Sequence, residues 1–117
     1  MNESILNKIG DLIKDKKINQ AQLEISKLGP EFHRNIKYLF LRSKIFYINK
    51  LYYQALDALL IATEFGEDEK IYDLISKIYK ILGNEDLSKK ISDSDTRLKD
   101  INSLKKEVTG ISQKEES

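Results

Sequence analysis

The chain has 117 residues, of which 40% are hydrophobic and 33% charged, enough for one domain with a modest core and too little for two. Twenty Lys and Arg against 19 Asp and Glu leave a net charge of +1 with the signs interspersed, so no cationic cluster marks a nucleic-acid partner. Cysteine is absent and His33 is the only histidine, which excludes thiol chemistry, disulfides and the usual zinc sites.

Apolar residues recur at three- and four-residue spacing, and no β-branched run alternates with polar residues over the length of a strand. The pattern predicts an all-α fold. A first helix is expected over residues 3–15, with Ile5, Leu6, Ile9, Leu12 and Ile13 on one broad face and Lys14-Asp15-Lys16-Lys17 as the turn after it. A second, over 18–28, carries Ile18, Ala21, Leu23, Ile25 and Leu28 and is expected to stop at Gly29-Pro30. The third, over 32–49, is hydrophobic on nearly every side and must be covered on several of them. Asn49-Lys50 turns the chain into a fourth helix over 52–65, with Ala55, Leu56, Leu59, Leu60 and Ala62, ending at Gly66. A fifth over 68–82 closes at Gly83-Asn84, and a short sixth covers 85–91.

Polarity rises beyond Ser92, yet Leu98, Ile101, Leu104, Val108 and Ile111 keep helical spacing. An amphipathic C-terminal helix is expected within 93–111, followed by a disordered polar tail over 112–117. The N-terminus lacks the cationic start and apolar run of a signal peptide, and no segment reaches the roughly 20 apolar residues of a membrane span. No membrane insertion and a cytoplasmic location are the expectations.

Ala21, Ala55 and Ser88 open corresponding helices and are spaced 34 and 33 apart. That period describes stacked helical hairpins, with small residues where helices cross closely. In Tyr38-Leu39-Phe40-Leu41-Arg42-Ser43-Lys44-Ile45-Phe46-Tyr47 the small residue is Ser43 and an aromatic follows one turn later, after which Ala55, Leu59 and Ala62 alternate small, large and small. Tyr72, Ser76, Tyr79 and Gly83 repeat the grammar, although Ser88 and Ser92 weaken the helix that follows. In the first hairpin Ala21, Ile25 and Leu28 fit, while its opening helix fits two registers, Ile5-Ile9-Leu12 or Leu6-Gly10-Ile13.

These residues resemble the tetratricopeptide repeat (TPR) family, whose units are antiparallel helix pairs of about 34 residues. The family's Trp is missing, and its inter-repeat proline has a counterpart only in Pro30. The resemblance implies a right-handed superhelix of about three TPR-like hairpins over residues 1–92, in units of 3–29, 31–66 and 68–92, with the C-terminal helix as a cap. It further implies a concave groove lined by Lys37, Phe40, Leu41, Lys44, Tyr47 and Ile48 of the middle unit, and by Lys70, Asp73, Leu74, Lys77, Lys80 and Ile81 of the third. Leu41 replaces the Asn, and Asp73 a cation, of the carboxylate clamp that some members use on chaperone tails, so that specialisation is not expected.

A groove of this kind suits an amphipathic helix or an extended segment with apolar anchors and some acidic character. The resemblance therefore implies a protein–protein interaction module or small adaptor. The alternatives are a small secretion-type chaperone holding an amphipathic client helix, and a self-associating scaffold piece, with a homodimer as its simplest form. Residues 98–111 have three destinations open to them: the cap of the last hairpin, the groove itself, or another chain. No enzyme and no cofactor are expected. His33 has no nucleophile or fixed acid near it in sequence, Glu67-Asp68-Glu69 lacks calcium-loop spacing, and the glycines stand alone without forming a phosphate loop.

Overall fold

A computed structural model of the chain describes residues 2–93 together with Leu104 and Val108, and every regular element among them is helical. The order is α1 (Asn2–Lys14), α2 (Ile18–Ser26), a single 3-10 turn (Pro30–Phe32), α3 (Ile36–Ile48), α4 (Tyr52–Ala62), α5 (Glu69–Ile81) and α6 (Glu85–Ser92). The bounds of the expected C-terminal helix and the tail at 112–117 lie outside the described residues.

Three helix ends differ from the sequence expectation, each for a local reason. The second helix stops at Ser26 and not at residue 28, because a helical Pro30 would press its ring on the carbonyl four residues back, that of Ser26. Gly29 is extended (φ −87°, ψ −174°) and opens the 3-10 turn; it is not a left-handed stop. The third helix begins at Ile36 because the Asn35 side chain accepts the amide of Tyr38 at 3.0 Å, which leaves Phe32 buried in the turn with its ring 5.9 Å from that of Tyr38. The fourth ends at Ala62, after which Glu64 and Phe65 donate to carbonyls only three residues back and tighten the chain out of α geometry.

The turns inside the hairpins are copies of one another. The amide of Lys17 donates to Leu12, that of Leu51 to Phe46 and that of Asn84 to Tyr79, while Lys16, Lys50 and Gly83 donate to Ile13, Tyr47 and Lys80. This paired six-to-one and five-to-two bonding needs a left-handed residue, and Lys16 (φ 62°), Lys50 (φ 63°) and Gly83 (φ 86°) supply it. Ala21, Ala55 and Ser88 then donate to Lys17, Leu51 and Asn84 as the second helix of each pair starts. The matching turns select the register Ile5-Ile9-Leu12 for the first hairpin, since Leu12 stands where Phe46 and Tyr79 stand.

A left-handed lysine is strained where glycine is not, so the positions carry a prediction. Lys50→Gly is expected to raise stability by about 0.5–1 kcal/mol, strain relief outweighing the added freedom of the unfolded chain. Gly83→Ala is expected to cost about 1 kcal/mol. A Cβ there meets no atom within 4 Å, so backbone strain alone sets the cost. Urea unfolding of the two variants checks both signs, and a neutral Gly83→Ala removes the strain account.

The core runs through all three hairpins. Leu6, Ile9, Ala21, Leu39, Ile45, Leu56, Leu59, Leu60, Ile71, Ile75, Ile78 and Ile91 are buried in one cluster. The apolar α3 sits in the middle of it, touching α1, α2 and α4, which is the multi-sided cover its composition requires. Phe46 is half-buried and packs against the core, with the Arg42 guanidinium 5.1 Å from its ring centroid. At the last hairpin two of the serines bond to each other's backbone. Ser76 Oγ donates to the Ser88 carbonyl and Ser88 Oγ to that of Ser76, both at 2.8 Å, so the crossing closes with its hydroxyls satisfied.

Leu104 and Val108 are helical and buried, 8% and 2% exposed. They close a small cavity of about 180 Å³ with Tyr53, Tyr79, Leu82, Asn84 and Leu87. Both therefore stand at the last hairpin.

Candidate partner-binding groove

A larger open groove of about 810 Å³ lies between α1, α3 and α5. Its floor is apolar: Ile18 from the start of α2, Tyr47 and Ile48 from the last turn of α3, and Leu74 from the middle of α5, with the edge of the core residue Ile13, 6% exposed, at the end of α1. Each element presents these residues because its other face is spent on the core; on α5, for example, Ile71, Tyr72, Ile75, Ile78 and Tyr79 are buried while Leu74 is half-exposed. Leu104 and Val108 do not line this groove.

Four lysines, Lys14, Lys16, Lys44 and Lys77, line the groove beside this floor, and no Asp or Glu is among the described residues that line it. Among the described residues none of the four is in a salt bridge. Lys77 Nζ lies 5.4 Å from the Tyr47 ring centroid and Lys44 Nζ lies 5.5 Å from that of Phe40, so both cations rest on aromatic faces without losing their charge to an acid. Tyr47 is held in turn by an edge contact with Tyr52, centroids 6.0 Å apart.

Not all of the residues expected in the groove come together. Lys44, Tyr47, Ile48, Leu74 and Lys77 do. Lys37, Phe40 and Leu41 line a second recess of about 470 Å³ with Ile36, Glu67, Asp68 and Lys70, and the Lys44 side chain leaning over Phe40 stands between the two. Leu41 is only 6% exposed and belongs chiefly to the core. Lys37 is tied to α1, paired with Glu3 at 3.5 Å and hydrogen-bonded to Asn7. Lys80 lies apart in a shallow recess with Glu85, Ser88 and Lys89, and Ile81 is 47% exposed and lines neither the groove nor the second recess. Asp73 is exposed, and Asp68 caps α5 by accepting the Lys70 amide at 3.0 Å.

Half of the groove comes from the first hairpin, where sequence reasoning assigned nothing: Gly10, Ile13, Lys14, Lys16 and Ile18. The missing signal was the register. Once Lys16, Lys50 and Gly83 are aligned as equivalent turns, Gly10 falls 34 residues before Lys44, and Lys44 33 before Lys77, so all three occupy one repeat position. His33, away from the groove, is exposed at the end of the 3-10 turn and stacks on Tyr38, centroids 6.2 Å apart.

The chain matches no protein-family model, no curated protein and no solved structure.

Proposed function

We propose that this chain is a helical-repeat interaction module, TPR-like in architecture, that holds a segment of another polypeptide in the groove between α1, α3 and α5. One observation carries the reading: an open apolar floor flanked by four lysines, with no Asp or Glu among the described residues that line it. Apolar surface held open in this way is favourable to cover, and unpaired cations on its rim give a partner direction and register. The copied turns support the repeat architecture, because equivalent helices then offer equivalent positions, such as Gly10, Lys44 and Lys77, to one elongated ligand. A carboxylate clamp has no place in this reading. The position that would hold its Asn is the core residue Leu41.

The chain has no Trp, so a single Trp in a partner peptide reports binding without background. A peptide rich in Leu and Glu is expected to shift its Trp emission to the blue on mixing with the full chain. Lys44→Glu combined with Lys77→Glu is expected to weaken that binding about tenfold or more, two rim charges of about 1 kcal/mol each changing sign. Raising the salt concentration should weaken the parent and leave the double variant little changed. Unaltered affinity in the double variant places the peptide elsewhere and removes this reading.

A further inference from the structure

We infer that the groove takes an amphipathic α-helix with acidic residues on both flanks of its apolar stripe, in preference to an extended peptide. This rests on the reading that the groove binds a polypeptide.

Hydrogen-bond bookkeeping inside the groove favours the helix. Among the described residues, the polar side chains lining it are those of four lysines, which only donate, and of Tyr47. Most carbonyls at the nearby helix ends are taken: Asp11, Leu12 and Ile13 accept from Asp15, Lys17 and Lys16, and Ile45, Phe46 and Tyr47 from Asn49, Leu51 and Lys50, which leaves those of Lys14 and Ile48 without a backbone donor among the described residues. An extended segment on this floor loses water from its amides and finds fewer acceptors than it has N–H groups, the Lys14 and Ile48 carbonyls and the Tyr47 hydroxyl, at about 1–3 kcal/mol for each buried N–H left unpaired. No strand edge exists among the described residues to receive it by sheet addition. A helix closes its own backbone bonds and asks the groove only for apolar cover.

The lysines define its flanks. Lys14 and Lys16 come from the end of α1 and the turn after it, whereas Lys44 and Lys77 come from α3 and α5, so the apolar floor lies between cations contributed from separate elements. Acidic residues on either side of the ligand's stripe meet them, and basic ones are repelled. Gly10 lines the groove from α1, and a Cβ there makes ordinary contact with Leu41 at 3.7 Å, so a larger side chain adds bulk to a wall that is now bare backbone. The groove is open along one side, which suits a ligand with one apolar face; an acyl chain needs enclosure on all sides.

The test uses the full chain and two peptides of identical composition, Leu, Glu, Ala and one Trp. In one the apolar residues fall at i, i+3, i+4 and i+7; in the other they alternate. The helical order is expected to bind at least about tenfold more tightly, with a gain of helical far-UV circular dichroism on mixing. Exchanging its Glu for Lys, or placing Gly10→Leu or Lys44→Glu with Lys77→Glu in the protein, should weaken the binding read by the Trp shift about tenfold or more while circular dichroism shows the variants folded. Equal or tighter binding of the alternating peptide, lost in the lysine variant, overturns the helix and leaves the groove reading standing. Binding of neither peptide, or binding that ignores both the lysine and Gly10 variants, overturns the groove reading itself. Lysine-dependent binding to phosphatidylserine–phosphatidylcholine vesicles, with none to either peptide, overturns a polypeptide ligand altogether.

Discussion

Leu59→Ala is expected to lower the unfolding free energy by about 2–5 kcal/mol, the range of fully buried leucines whose cavity the surroundings fill only in part. Leu59 is 0% exposed in the middle of α4, a helix in which Ala55, Leu56, Ala58, Leu60 and Ala62 are buried as well. Little can move in to fill the hole. The helix is clasped by α3 on one side and α5 on the other, and alanines already bring the backbones close. Against a total of about 5–15 kcal/mol for a domain of this size, such a loss brings the chain near unfolding at physiological temperature. Ile61→Ala on the same helix is the control, because Ile61 is 37% exposed and its truncation should cost much less. Urea denaturation followed by circular dichroism measures both, and similar costs at the two sites refute the burial argument.

Ending the chain at Asp93 is expected to be the second large perturbation. Leu104 and Val108 are lost, each worth about 1.5–3 kcal/mol when fully buried, so stability should fall by roughly 3–5 kcal/mol, reduced where the denatured chain is compact. Their removal opens the cavity they close and bares Tyr53, Tyr79, Leu82 and Leu87. ANS fluorescence should therefore rise, and light scattering should detect association through the new apolar surface. Affinity for a groove peptide should stay the same, since neither residue lines the groove. If the shortened chain binds the peptide more tightly, the C-terminal segment competes for the groove; if stability and ANS signal do not change, it contributes no cover to the last hairpin.

The two perturbations probe parts of the fold that differed in how visible they were in the sequence. Helices were legible because the 3.6-residue period is a local property, and all three hairpin turns were placed by their polar residues, with Gly83 alone also marking the left-handed position. Lys16 and Lys50 hid the same left-handed turn behind a residue that ordinarily avoids it, which is why the first hairpin fitted two registers. The start of α3 was misplaced by four residues for a related reason. Phe32 continues the apolar pattern, but the Asn35 cap and the 3-10 turn after Pro30 break the helix between them.

By itself the sequence determined the all-helical composition, the 34- and 33-residue spacing of the hairpins, and the absence of a charge imbalance large enough to dictate a polyanion partner. These depend on hydrogen bonds and side-chain spacing within a few residues. Only the tertiary structure decided which face of each repeated helix became core and which became groove. Leu41 and Leu74 occupy the same repeat position 33 residues apart, yet Leu41 is buried where α1 lies across it at Gly10, and Leu74 remains half-exposed on the groove floor. The identity of the neighbouring helix, a long-range fact, sets that difference, because a leucine is buried by what covers it and not by its place in a period.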